Sequence, residues 1–396
     1  MTTKRTLLVV ANGHGEDVVA GRVIAALLAL RPEQRVEAIP IVGEGGALAA
    51  AGATLVGPRR ALPSGGVTMH AWRHLRADVR AGLIGLSVRQ ATWLARAKPD
   101  AVLVVGDFYA ELLASLTRAP RRLLQTLVSV HHEHPGGGRA GRYFMDGFRA
   151  PELMLMRRFD KVYARDSATA DKLRALGVPR ATSLGNPMMD GLAGEPLAGA
   201  PQSFVGPRVA MLPGSRAYSV RSVLVMIAAL ERLPGALGMV SWTLGPPPAP
   251  PPGWESDVVD TAGVVAAWRL GATRLWWIVD RFASVLRTAD VAVGTAGTAN
   301  EQAVGLGVPL VVFPLPPDYS EAFVANQARL LGGGVTICAP RPEALAAALN
   351  ATWRDRTARE RAMQAGAERM GAPGASRALA GELVEWLEGP LVRTGE

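Results

Sequence analysis

A short apolar run, Thr6-Leu7-Leu8-Val9-Val10-Ala11, leads into the glycine turn Asn12-Gly13-His14-Gly15-Glu16-Asp17 and then into Val18, Val19, Val23, Ile24, Leu27 and Leu28 at helical spacing. Strand, glycine turn and helix in that order form the opening unit of a parallel α/β sheet. Its strands are covered on both faces and so read as continuous apolar runs rather than alternating ones. The rhythm continues with strands at 36–42, 101–105, 123–130 and 161–164, and with helical segments at 72–97 and 167–176. It then restarts in mid-chain. Val209-Ala210-Met211-Leu212 reads as a strand, Pro213-Gly214-Ser215-Arg216 as a turn and 222–233 as a helix. Strands follow at 239–244, 275–279, 291–293 and 310–313, with helices at 282–288, 300–305, 322–331, 342–354 and 376–387. A chain of 396 residues has room for two such units. The expected fold class is therefore α/β, with two doubly wound Rossmann-like domains, 1–200 and 201–396, facing across a cleft. The last helix is left open to cross back to the first domain. The boundary falls in a Gly-, Ala- and Pro-rich stretch at 190–207, and the proline-rich segment 246–252 reads as a stiff loop inside the second domain.

Composition removes several function classes. One cysteine, Cys338, allows neither an intramolecular disulfide nor a cysteine-based zinc cluster. The apolar run at the N-terminus is too short for a signal peptide, and no stretch approaches the roughly 18 apolar residues of a membrane span. A cytoplasmic protein is expected. The net charge of +9 comes from arginine: only Lys4, Lys98, Lys161 and Lys172 among the 43 basic residues are lysine. With the heavy use of Ala, Gly and Pro, this fits a GC-rich coding bias. Such a surface still attracts phosphates, nucleotides and anionic headgroups. Nucleic acid is not expected as a partner, because no helix-turn-helix, zinc or aromatic RNA-binding signature is present.

Ligands of open parallel sheets bind at the C-terminal ends of the strands, and four features fall there. The turn Asn12 to Asp17 is the first. Gly13 and Gly15 permit a left-handed backbone, the helix start favours an anion, and His14, Glu16 and Asp17 add acid-base character. An ordinary turn with Asp17 capping the helix accounts for the same residues equally well. The second is Asp107, at the end of the apolar run 101–105 in Val105-Gly106-Asp107-Phe108-Tyr109. Partial desolvation there would raise its pKa and suit it to a base; its structural alternative is helix N-cap. The third is His131-His132-Glu133-His134-Pro135, ahead of three glycines. These neighbours point in different directions and lie on no metal-binding helix motif, so a substrate loop is the better reading than a metal centre. The fourth is a pair of loops in the second domain. Gly214, Ser215 and Arg216 suit a diphosphate, with amides and hydroxyl for its oxygens and a guanidinium for its charge. Gly297, Thr298 and Glu301 lie in a second small-residue turn, where Glu301 could hold a ribose diol, and Asn326 and Gln327 stand on the following helix.

Three of these stretches resemble lipid-A-disaccharide synthase: Leu-Pro-Gly-Ser-Arg at 212–216, Gly-Asn-Pro-Met-Met-Asp at 185–190, and the Gly-Thr-Ala, Glu and Gly-x-Pro run at 297–309. The resemblance spans nearly the whole chain. It implies a GT-B fold and an inverting glycosyltransferase acting on a UDP-sugar as substrate, with no cofactor. It further implies that Arg216, Gly297, Thr298 and Glu301 bind the UDP-sugar and that Asp107 is the leading base, with His14 as alternative or helper. The run containing Asn326 and Gln327 is also similar to the peptidoglycan-precursor N-acetylglucosaminyltransferase and to UDP-N-acetylglucosamine 2-epimerases. On the acceptor side the chain departs from the synthase. It has Asn12-Gly13-His14-Gly15-Glu16-Asp17 where the synthase reads Ala-Gly-Glu-x-Ser-Gly-Asp, and the histidine loop replaces a tryptophan-rich stretch. The opening is closer to the synthase-related proteins, so the acceptor need not be a lipid A precursor.

The resemblance implies a metal-independent reaction in which cationic groups and helix N-termini stabilise the departing diphosphate. Two rivals stay open: a UDP-sugar 2-epimerase-type isomerase and a non-catalytic nucleotide-sugar-binding protein. Two basic amphipathic stretches, 72–97 and 143–159, suggest contact with an anionic membrane and a lipid-linked acceptor, on the inner face of the cell membrane. A core face with solvated arginines is the plainer explanation of both. The oligomeric state leaves no trace in the sequence.

Overall fold

A computed structural model describes residues 5–62, 76, 78–132, 148–199, 205–216 and 218–391. His134 and the parts of the two basic stretches at 72–75, 77 and 143–147 lie outside the described residues. The chain divides into two compact units, Met1–Gly191 with Ala372–Glu396, and Leu192–Gly371. The first crossing therefore comes at 191/192, and the final helix belongs to unit 1.

Unit 1 is built on seven strands: β1 (Thr6–Ala11), β2 (Arg35–Pro40), β3 (Thr54–Leu55), β4 (Ala101–Gly106), β5 (Arg121–Gln125), β6 (Lys161–Tyr163) and β7 (Ala181–Thr182). They lie in the order β3-β2-β1-β4-β5-β6-β7, and every pairing is parallel. The order reverses between β1 and β4, both apolar throughout, so their C-terminal ends flank the opening where such sheets bind ligands. Leu8, Val10, Val102, Val104, Leu123 and Val162 pack one face of the sheet against helices that include Leu83–Arg96 and Phe108–Ala114. β5 stops at Gln125, short of the 123–130 strand read from the sequence. The Gln125 side-chain oxygen accepts the amides of Leu127 (2.8 Å) and Val128 (3.3 Å), which removes those donors from the ladder.

The helix Ala375–Glu388 lies beside His14–Leu30 and buries Leu379, Leu383 and Leu387. Its Glu382 carboxylate accepts from Lys161 Nζ (2.6 Å) and the Tyr163 hydroxyl (2.8 Å), while Arg122 lies 4.5 Å over the Trp386 ring.

Unit 2 contains β8 (Arg208–Leu212), β9 (Leu237–Ser241), β10 (Glu255–Asp257), β11 (Val264–Leu270), β12 (Thr273–Ile278), β13 (Val291–Gly294), β14 (Leu310–Val312) and β15 (Val335–Ile337). The order is β10-β11-β12-β9-β8-β13-β14-β15, parallel from β12 to β15. It switches between β8 and β13 as unit 1 does between β1 and β4. The sequence reading has no counterpart for β10 and β11: β11 pairs antiparallel with β12, and β10 antiparallel with β11 at the sheet edge. β11 opens with an apolar run of its own, Val264-Val265-Ala266-Ala267-Trp268, of which only Ala267 and Trp268 are buried. The proline-rich segment 246–252 falls within this unit and forms neither helix nor strand.

Candidate functional site

In unit 2 the switch point is formed by the loops that leave β8 and β13. Gly214 adopts φ 92°, a left-handed conformation that turns the chain sharply after Pro213. Ser215 and Arg216 follow, both exposed, and the Arg216 amide donates to Ser219 Oγ at the start of the helix Ser219–Leu230 (3.2 Å). Thr295 ties this loop to its partner. Its amide donates to the Leu212 carbonyl (3.1 Å) and its hydroxyl to that of Pro213 (3.2 Å), and it shares a hydrogen bond with Ser222 Oγ (2.5 Å). Tyr218 donates to the Thr295 carbonyl at 3.0 Å.

Beyond Thr295 the helix Thr298–Gly305 begins with Gly297 as N-cap and no side chain capping it. A Cβ on Gly297 would meet nothing within 4 Å, so space is open over the helix start. Gln327 sets the direction of this turn: its amide nitrogen donates to the carbonyls of Ala296 and Gly297, each at 3.1 Å. Across a trans peptide the N–H points opposite the C=O. The amides of Gly297 and Thr298 therefore face away from Gln327. Asn300 (2.8 Å) and the Tyr319 hydroxyl (2.7 Å) both donate to Gln327 Oε1 and hold the amide in place. Asn300 also lies over Gly294, where any Cβ would clash with it.

Gln327 is thus a buried scaffold for the loop, which differs from the expected direct donor contact. Asn326 is half-buried and accepts from Arg329 at 2.9 Å. Glu301 stands half-buried in the first turn of the helix. The structure brings Gly214, Ser215 and Arg216 together with Gly297 and Thr298 through Thr295. The sequence reading took Thr295 only as one of the hydroxyls of its turn, and it missed Ser222 and Tyr218.

In unit 1 the opening between β1 and β4 is lined differently. The Asn12 amide donates to the Val105 carbonyl (3.2 Å), and its side chain hydrogen-bonds Asp107. Gly106 takes φ 147° and passes so close to Asn12 that a Cβ would approach its Cβ to 2.8 Å. Gly13 is extended (φ 169°), and Gly15 lies in the first turn of the helix His14–Leu30; neither is left-handed. The expected Asp17 cap is absent as well: Gly13 is the N-cap, and no side chain caps it. Burial, with Glu16 beside it, instead pushes the Asp17 carboxyl up to about 7. With Glu16 and Asp17 at its start, this helix does not offer the anion site that its glycines suggest.

Asp107 takes the helix N-cap position that its structural reading requires. It N-caps the helix Phe108–Ala114 by accepting from the amides of Tyr109 (3.0 Å) and Ala110 (3.5 Å). Burial raises its pKa, and these hydrogen bonds and the one from Asn12 offset part of the rise. One turn on, Glu111 is fully buried, and desolvation together with Glu152 and Asp107 drives its pKa well above the ordinary range. Burial pushes Glu152 up to about 7. The Gln125 amide donates to both carboxyls, to Glu111 at 2.9 Å and Glu152 at 3.1 Å. His131 and His132 lie half-buried in a single 3-10 turn, Val130–His132, a few residues beyond Gln125. Among the described residues, no three His, Cys, Asp or Glu side chains converge as a metal site requires.

No family model matches the sequence, and no curated protein matches it. Solved structures do match over the whole length. The glycotransferase of kitacinnamycin is 17% identical with a TM-score of 0.61, covering 97% of this chain and 99% of that one. Arabidopsis thaliana UGT89C1 complexed with UDP is 14% identical with a TM-score of 0.58 (97% and 100% covered). A UDP-N-acetylglucosamine 2-epimerase is 14% identical with a TM-score of 0.55 (97% and 96% covered). No membrane-spanning helix, long and apolar enough to cross a bilayer, occurs among the described residues. Two sheets in the same switch-point order, matched end to end by these enzymes, give the chain the GT-B fold of two Rossmann-like α/β units.

Proposed function

We propose that this chain is an inverting, metal-independent glycosyltransferase that takes a UDP-sugar on unit 2. The observation that carries the reading is the pairing, through Thr295, of an exposed arginine with an uncapped helix N-terminus at the switch point of β8 and β13. Arg216 and the amides of Gly297 and Thr298 would meet the diphosphate, and Glu301 the ribose. The charge that develops on the departing diphosphate is then stabilised by groups already in place. A structural neighbour binds UDP, which supports the choice of nucleotide.

On unit 1, Asp107 takes the proton of an acceptor hydroxyl whose oxygen attacks the anomeric carbon from the face opposite the diphosphate. A carboxylate with a raised pKa is the stronger base for this step. His14, Asn12, Gly13, Gly15, Glu16, His131, His132 and His134 would form the acceptor side. The acceptor is proposed to be lipid-linked, as the resemblance to lipid-A-disaccharide synthase implies, and reached at an anionic membrane surface. Ile84 and Val88 (62% and 60% exposed) stand beside the exposed Arg89 on one helix and support that placement.

The epimerase-like fold keeps a UDP-sugar 2-epimerase as the second reading. Incubation with a panel of nucleotide sugars, with and without lipid acceptors, separates the two. A transferase releases UDP and glycosylates only when acceptor is present, whereas an epimerase interconverts UDP-sugars without one.

A further inference from the structure

Unit 1 carries a groove at the N-terminal ends of its central strands. Asn12 and Asp107 lie past the C-terminal ends of β1 and β4; this groove, of about 840 Å³, lies at their N-terminal ends. At roughly 3.3 Å per residue, the six-residue strands keep the two about 20 Å apart. Four cations line it, Arg5, Arg96, Lys98 and Arg118, against a single acid, Asp100. Asp100 is held by the Thr6 amide at 2.7 Å. Arg5 donates to the carbonyls of Leu387 (2.6 Å) and Gly389 (2.5 Å), and Arg96 stands in the last turn of its helix. Both thereby answer the partial negative charge of a helix C-terminus. Lys98 and Arg118 have no such task. Both are exposed and without an acidic partner among the described residues.

The groove is built rather than incidental. Buried Arg121 donates to the Ser115 (3.0 Å) and Thr117 (3.1 Å) carbonyls, which fixes the loop that presents Arg118. Alanine, proline and Leu391 form the remaining wall, and low-dielectric walls concentrate the field of cations between them. A second recess of about 470 Å³, walled by Pro58, Val88 and Trp93, shares Arg96 and Ala97 with the first.

The geometry points to a second binding site here, for a ligand bearing a phosphate group with two or more negative charges and an apolar portion. The phosphate lies between Lys98 and Arg118, and the apolar part runs past Arg96 onto Trp93. The site stands independently of the donor reading of unit 2. A soluble organic phosphate and a phospholipid headgroup share this chemistry, and two probes distinguish them. Inorganic pyrophosphate is titrated calorimetrically, and vesicles of phosphatidylcholine with and without phosphatidic acid are tested by co-sedimentation. Both use the full chain, Arg216→Ala, and Lys98→Ala combined with Arg118→Ala.

Binding of at least one probe should survive Arg216→Ala and weaken at least roughly tenfold in the double variant. Pyrophosphate binding identifies a soluble source, and binding confined to phosphatidic-acid vesicles identifies a lipid headgroup. Failure of both probes would overturn the site, as would equal binding by the double variant or loss in Arg216→Ala alone. If the double variant does not fold, Lys98→Ala alone gives the same readout.

Discussion

Asp107 caps a helix and is the proposed base, and a single substitution separates the two roles. Asparagine caps about as well as aspartate but cannot take a proton. Asp107→Asn is therefore expected to keep the melting temperature and UDP affinity near wild type while turnover falls about 10²–10⁴-fold. Steady-state kinetics beside a thermal melt check this. Because burial raises the Asp107 pKa, the acid limb of kcat/KM should lie above the usual carboxylate range of about 4.

Stability should show the same chemistry with the opposite slope. Asp17 titrates near 7 folded and near 4 unfolded, so between those values the native state holds more protons. Stability is then greatest below pH 4 to 5 with respect to this group, and it falls as pH rises through about 7. Asp17→Asn should flatten that slope, by roughly 1–3 kcal/mol across the window, in melts from pH 4.5 to 8. Asp107 was legible in the sequence because an acid ends an apolar strand there. Glu111 and Glu152 were not, since local pattern cannot tell an acid on a solvated helix face from one packed against Gln125 and a second carboxyl.

At the level of elements, strand ends do most of the positioning. Gly106 allows β4 to pass against Asn12, and the Gln125 side chain ends β5 and starts the turn toward His131. In unit 2, Gln327 aims the Gly297 turn. Gln327→Met has similar length but removes the donor to the Ala296 and Gly297 carbonyls and the acceptor shared by Asn300 and Tyr319. It should cost about 1–3 kcal/mol in denaturant unfolding and weaken UDP binding about tenfold, although Gln327 itself does not face the open side. Repeated strand, turn and helix made the parallel strands readable. The edge strand β10 escaped because Glu255-Ser256-Asp257 holds no apolar residue, and its neighbour β11 was missed although Val264 to Trp268 is an apolar run. At the opening between β1 and β4 the glycine with positive φ is Gly106 rather than Gly13 or Gly15, since backbone angle depends on what the chain must pass and not on glycine content alone.

For the whole molecule, the chain leaves unit 1 after Gly191 and returns at Ala372. Asp190 fastens the exit to the return: its carboxylate accepts from the amides of Gly374 (2.5 Å) and Ser376 (2.6 Å). The Gly-Asn-Pro-Met-Met-Asp stretch that stood out in the sequence thus has a structural role. Arg22 donates to the carbonyls of Pro187 (3.0 Å) and Met188 (2.7 Å) and holds its middle. A chain ending at residue 371 should lose cooperative unfolding of unit 1, because it exposes the surface covered by Leu379, Leu383 and Leu387. Limited proteolysis and calorimetry would show it. Two α/β units were evident from periodicity; the return of the last helix to the first unit was left open there, because the docking of a helix is a tertiary event.

Calorimetric titration of UDP into the full chain and into Arg216→Ala tests the donor site most directly. One equivalent should bind the wild type, and Arg216→Ala should weaken it at least roughly tenfold with its melting temperature unchanged. Failure of UDP to bind the folded protein, or equal affinity in Arg216→Ala, would contradict the assignment of the β8 and β13 loops to the diphosphate.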